Sequence, residues 1–220
     1  MQTFFSLISL LKTPTLETLY MVVISSFIAI LLGTPLGILL YCTEENSLLE
    51  NKHLHRLIDS VVNISRSFPF IILMILLFPL SRVIVGTSIG TTATIVPLSI
   101  GAAPFVGRVV ESSLKEVPSG VLEASISMGA TPKDIIMKVL IPEALPSLIL
   151  GLTLTIINLV GYSAMAGAIG GGGLGDLAIR YGFHRFQTDV MIASVIVIIA
   201  IVQSIQYIGN LAAKKILQTR

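Results

Sequence analysis

Five stretches of this 220-residue chain contain no Asp, Glu, Lys or Arg: residues 18–43, 67–81, 83–107, 144–175 and 190–213. A hydrocarbon core takes roughly 20 helical residues to cross, and four of the stretches are that long. With 54% apolar residues, 12% charged residues and a mean hydropathy of +0.92, the chain belongs to the membrane class rather than to ordinary soluble domains. The second stretch spans about 22 Å at the helical rise, short of a core of about 30 Å. Its crossing therefore borrows residues before Ser67, which places Asn63, Ser65 and Arg66 within or just below the membrane. The expected architecture is all-α, a polytopic protein with five transmembrane helices over about 15–41, 58–80, 87–109, 145–168 and 190–211.

Lys and Arg set the orientation. Five spans put Lys52, Arg56, Arg66, Arg108, Lys115, Lys133, Lys138, Lys214, Lys215 and Arg220 on one side, and only Lys12, Arg82, Arg180 and Arg185 on the other. The positive-inside rule assigns the richer side to the cytoplasm, which gives an N-terminus outside and a cytoplasmic C-terminus. The net charge of +2 carries no nucleic-acid signal. The opening "MQTFFSLISLLK" lacks a basic leader and an A-x-A-like cleavage site; with Phe4, Phe5, Ile8 and Leu11 at helical spacing it suits a short helix on the outer surface. Cys42, the single cysteine, fits a small apolar filler.

Within the spans, "GTPLG" (33–37) is a candidate kink, because Pro35 lacks an amide donor and Gly33 and Gly37 weaken a helix. Pro69 disfavours helical geometry at Phe68. The third span is rich in Gly, Ala, Ser and Thr, which lets neighbouring helices approach closely in lipid, so it reads as an interior helix. No internal repeat divides the chain into inverted halves.

One segment, "EASISMGATPKDIIMKVLIPEALP", breaks the apolar pattern between the third and fourth spans. Ser119 can cap a short helix that Gly129 stops as a C′ glycine. Thr131, Pro132 and Asp134 then form a second helix start, with Thr131 as N-cap and Pro132 at the first helical position, and this helix ends at Pro142. Periodicity alone allows an interfacial hairpin packed on its own bundle as readily as a docking element. The spacing adds more. Glu123-Ala124-Ser125, three residues, Gly129, nine residues, then Val139-x-Ile141-Pro142 resembles the EAA loop of ATP-binding-cassette (ABC) importer permeases. The departures are Ser125 for Ala, Val139 for Ile and Ile141 for Leu.

Together with "NISRSFPFIILM", "RVIVGTSIG", "IVPLSIGAAPFVGRVVESSLKEVPSGVLEAS", "LVGYSAMAGAIGGGGLG" and "YGF", this segment makes the chain similar, from first span to last, to the methionine importer permeases of that family. The resemblance implies a type I ABC importer permease fold and a homodimer of this chain. It also implies two copies of a cytoplasmic ABC ATPase and an extracytoplasmic, commonly lipid-anchored, substrate-binding protein, all at a bacterial inner membrane. Segment 119–142 becomes the cytoplasmic coupling element, with Glu123, Ala124, Ser125, Met128, Gly129, Ala130, Thr131 and Pro132 facing the ATPase. The implied cargo is methionine, with D-methionine or derivatives, although close relatives carry other small substrates.

The remaining motifs are weighed against this frame. No G-x-x-x-x-G-K-[ST] occurs, so ATP hydrolysis by a P-loop falls to another polypeptide; no catalytic residue, metal ligand set or cofactor is expected. Gly170, Gly172 and Gly175 satisfy G-x-G-x-x-G without the strand and helix that dinucleotide binding needs, and fit either a tight re-entrant segment or a flexible loop. "HLH" (53–55) and His184 lack further ligands. Arg66 at the membrane edge fits snorkelling to lipid phosphate or a place in an inner gate. Met165, among small residues, fits packing or an apolar plug of the pathway, with Tyr162 and Ser163 lining the same passage. A proton-coupled carrier would want carboxylates within the spans, and a membrane scaffold would leave the EAA spacing unexplained.

Overall fold

The computed structural model describes residues 2–218, with side chains at 7 and 9–218. Every element among them is helical: α1 (Gln2–Thr43), α2 (Lys52–Ser67), α3 (Phe70–Val85), α4 (Thr91–Lys115), α5 (Ser119–Ser127), α6 (Pro132–Asp134), α7 (Ile141–Gly167), α8 (Gly173–Leu177) and α9 (Thr188–Gln218). Two π-helical turns, Ile135–Leu140 and Ala178–Phe183, join α6 to α7 and extend α8. Four helical stretches, within α1, in α4, across α6 to α7 and in α9, are long and apolar enough to cross a membrane, and the bent pair α2–α3 makes a fifth if counted as one span.

Contacts gather the chain into two compact units, one of Met1–Ala29, Phe68–Ala102 and Ile156–Gln206, the other of Ile30–Ser67, Ala103–Thr155 and Tyr207–Arg220. In the first, Met21, Met74, Leu98, Leu159 and Leu174 are almost fully buried. In the second, glycines set the packing. A methyl group on Gly33 would lie 2.5 Å from the carbonyl oxygen of Ala103, and one on Gly37 would strike the carbonyl of Gly107. The glycines of "GTPLG" thus serve close approach of α1 to α4, the role small residues play between helices in lipid. α4 is the interior helix that its composition implies: 72% of its most apolar window is buried, against 11% for α9.

Charges close the second unit. Glu111, only 4% exposed, pairs with Arg108 at 2.6 Å and Lys115 at 3.0 Å on its own helix. Arg108 continues to Asp59 and Asn63 of α2, and Lys115 to Glu44 after α1. A buried carboxylate is tolerated only when paired in this way.

Three local expectations need correction. The opening segment does not form a separate surface helix, because α1 runs unbroken from Gln2; the side chains of Phe4, Phe5 and Ile8 lie outside the described residues. The chain from 58 to 80 is not one helix, since Ser67 ends α2 and α3 starts after Pro69, whose ring excludes the helical geometry of the residue before it. The helix that begins at Thr131 does not end at Pro142. Ile141 N–H reaches back to Ile136 C=O, a five-residue register, and this π turn shifts the ladder just before a residue that has no N–H to offer.

Candidate functional site

Segment 119–142 is built from caps. α5 starts on Pro118 (φ −58°, ψ 133°), with no side-chain cap. Ser119 therefore lies inside the first turn instead of capping it, because proline's restricted φ already supplies an extended residue before the helix. The C-terminal end closes as expected. Gly129 N–H donates to Ile126 C=O at 2.9 Å and Ala130 N–H to Ser125 C=O at 3.2 Å, the paired bonds of a Schellman motif. Gly129 sits at φ +79°, a conformation that costs a residue with a Cβ roughly 1–2 kcal/mol.

Two residues on, Thr131 (ψ 155°) accepts the amide of Asp134 at 3.3 Å and donates its hydroxyl to the Asp134 carboxylate at 2.6 Å. Lys138, 2.7 Å away, is the main influence holding the Asp134 carboxyl below the usual carboxylate range, with Thr131 second. α5 packs on the π turn, where Ile135 and Leu140 are buried.

Most of this segment is exposed. Glu123, Ala124, Met128, Gly129, Thr131 and Pro132 are exposed, Ala130 is half-buried, and Ser125 turns inward with its hydroxyl on Val121 C=O at 2.8 Å. Met128 is 80% exposed and Ile126 52%.

The other predicted residues fall elsewhere. Met165 on α7 is 49% exposed. Tyr162, half-buried one turn earlier, stacks on Phe70 with ring centroids 4.3 Å apart. Ser163 lies two residues from Met165, roughly 200° round the helix; it is buried and bonds Val160 C=O at 2.7 Å. Arg66 lies over the Phe105 ring, 4.8 Å from its centroid.

Beyond Met165 the glycine run folds back instead of looping freely. A methyl on Gly167 would fall on the amide of Asp176, and one on Gly175 on the carbonyl of Ala164, so α8 and the end of α7 meet backbone to backbone. The start of α8 is held by α1: Gly173 N–H, at φ +77°, donates to Glu17 Oε2 at 2.8 Å, and Leu174 N–H to Thr18 Oγ1 at 2.9 Å. A carboxylate satisfying free amides at a helix start is favourable in charge and in hydrogen bonding. In the sequence Glu17 is only the charge that bounds the first charge-free stretch. Its partner Gly173 is 156 residues away, and no local signal ties the two together. Glu111 was also missed, although its spacing to Arg108 and Lys115 is that of helical ion pairs. Among the described residues no group of three or more His, Cys, Asp or Glu could hold a metal.

Residues 33–217 match the family of binding-protein-dependent transport system inner membrane components. The chain belongs to this family. Among curated members, the probable D-methionine transport system permease protein of Vibrio cholerae is 55% identical over 94% of this chain and 92% of its own. The corresponding protein of Pasteurella multocida is 49% identical over 94% and 95%. Of solved structures, a chain of the MetNI methionine ABC transporter, in a work describing inward-facing conformations, superposes with a TM-score of 0.93 at 47% identity, covering 94% of this chain and 96% of that one. A chain from an amino acid ABC transporter shares the fold at 18% identity, with a TM-score of 0.80. The fold of this inner membrane component is thus the type I ABC importer permease fold.

Proposed function

We propose that this chain is the membrane-spanning subunit of an ATP-driven importer that carries methionine inward, with D-methionine or methionine derivatives in its range. The observation that carries this reading is the 55% identity, across nearly the whole of both chains, to a probable D-methionine transport permease. Two copies enclose the pathway on a twofold axis, since one thin bundle cannot gate a conduit alone. Two copies of an ABC ATPase bind from the cytoplasm, and a substrate-binding lipoprotein delivers cargo from outside. The chain itself is non-catalytic. Its five crossings, the second entered through the bent pair α2–α3, run from an outside N-terminus to a cytoplasmic C-terminus in a bacterial inner membrane.

Coupling falls to Glu123, Ala124, Met128, Gly129, Thr131 and Pro132, with Ser125 and Ala130 supporting them from within. A rigid, doubly capped plug moves as a body when the ATPases close, as alternating access requires. Met165 is the gate, with Tyr162 positioned behind it by the Phe70 stack and Ser163 locking the helix; Arg66 lies at the inner end. Met165→Cys in a Cys42→Ala chain should crosslink to its twin without nucleotide and lose that crosslink when ATP is trapped. Equal yields in the two states would return Met165 to packing.

The reading as a whole is tested by co-expressing the chain with an ABC ATPase of a methionine importer and measuring uptake of labelled amino acids into proteoliposomes supplied with a methionine-binding protein. Methionine should accumulate only with internal ATP. Uptake of another amino acid in preference, or accumulation without ATP, would overturn it.

A further inference from the structure

α2 has two faces with different fates. One is docked on its own unit: His55 Nδ1 lies 3.1 Å from Leu40 C=O, Asp59 and Asn63 bond Arg108, Arg66 covers Phe105, and Val62 is buried. The other carries Leu54, Leu57, Val61 and Ile64, exposed by 39%, 63%, 56% and 60%. Their spacing, i, i+3, i+7, i+10, makes one continuous apolar stripe. With Lys52, Arg56, Asp59 and Arg66, α2 is too charged to run through the middle of a bilayer.

Its docking contacts fix its level. Leu40 and Thr43 end α1, and Arg108 begins the charged last turns of α4, so α2 sits where the apolar helices give way to charge. Water is a poor neighbour for four adjacent large apolar side chains, and charge decides between the other occupants. Asp59, the one carboxylate of α2, is engaged with Arg108 on the docked face. Arg56, roughly 100° round the helix from Leu57, is exposed and forms no ion pair among the described residues. Two copies pairing stripe to stripe would bring cation to cation, whereas an anionic headgroup layer complements them. Amphipathic helices with this pattern lie in the membrane interface.

We propose that α2 is a membrane-surface helix, with Leu54, Leu57, Val61 and Ile64 set among acyl chains of the cytoplasmic leaflet and Arg56 reaching anionic lipid phosphates. The break before Pro69 then turns the chain from the surface into the apolar helix α3. This holds for any cargo and rests only on residence in a bilayer with the orientation proposed above, so its failure is separable from failure of the transport reading.

The chain has no tryptophan, so Leu57→Trp and Ile64→Trp in the full-length protein each give an isolated emitter at a site already open. In vesicles, both should emit at blue-shifted wavelengths and be quenched more by lipid brominated high on the acyl chain than by lipid brominated near its end. Lys133→Trp, on the exposed cytoplasmic segment, should not respond. Brominated phosphatidylglycerol should quench Leu57→Trp more effectively than brominated phosphatidylcholine, by up to roughly fivefold for one surface-facing cation, and Arg56→Gln should abolish the preference. Unquenched, water-like emission from both stripe positions would overturn the proposal. So would an inter-copy disulfide through Leu57→Cys, in a Cys42→Ala chain, from a site that brominated lipid cannot reach.

Discussion

Gly129 and Gly175 are both glycines at bends in an apolar chain, yet they answer to different constraints. Nothing lies within 4 Å of where a Cβ on Gly129 would stand, and its demand is conformational, φ +79°. Gly175 has no such backbone requirement, and its demand is spatial: the carbonyl of Ala164 occupies the place a methyl would take. In the coupling role proposed for segment 119–142 Gly129 would keep a surface in shape for a partner, whereas the glycine of the fold-back keeps two pieces of one chain in contact. Substitution should therefore cost function at the first and folding at the second.

The largest effect is expected at the fold-back. Gly175→Ala forces the chain away from Ala164 at a cost of about 3 kcal/mol, which lowers the thermal midpoint in detergent by roughly 6–12 °C for a chain of this size. A midpoint unchanged from the parent would mean that the backbone contact is loose. Gly129→Val should behave in the opposite way. Its strain of roughly 1–2 kcal/mol falls on an exposed turn, so expression and midpoint should move little while ATP-driven uptake collapses. Parallel loss of midpoint and uptake would erase the distinction between the two sites.

The caps provide a finer comparison. Glu17→Ala removes the acceptor for Gly173 N–H and should cost about 1 kcal/mol or more, with Glu17→Gln retaining part of it; faster hydrogen exchange at residues 173 and 174 is the local reading. Thr131→Ala removes an exposed cap of similar kind, worth about 0.5–2 kcal/mol, but it frays only the start of α6. Exchange should quicken near Asp134, and uptake should fall by less than with Gly129→Val. Equal exchange in mutant and parent would show the cap bonds to be idle.

The local structure of segment 119–142 was largely legible because its signals are local. The Thr131, Pro132 and Asp134 start and the Gly129 stop are each read within four residues, as capping physics is. Even there Pro118 displaced Ser119, since an extended proline can precede a helix as well as a capping hydroxyl can. Helix existence was legible from charge-free runs, whereas continuity through Pro142 was not, because a π turn leaves no compositional mark. The fold-back was the least legible. Its glycines gave a bend, but the amides of Gly173 and Leu174 find Glu17 and Thr18 across 156 residues, and pairing at that distance is decided by the fold. Gly33 and Gly37 carried an ambiguous signal, since the absence of a side chain reads equally as weakness or as room.

That room has a mechanical meaning. Helices slip past one another by re-seating side chains from notch to notch, each rotamer swinging over as its neighbour yields. Where Gly33 and Gly37 meet the carbonyls of Ala103 and Gly107 there are no rotamers on the α1 side to swing, and the obstacle to sliding is peptide backbone together with the stiff β-branched side chains of Val106 and Val110. Along this stretch α1 and α4 form a girder rather than a bearing. A covalent tether across it should leave uptake unchanged, and the slack that transport needs has to come from seams faced with longer, more compliant side chains.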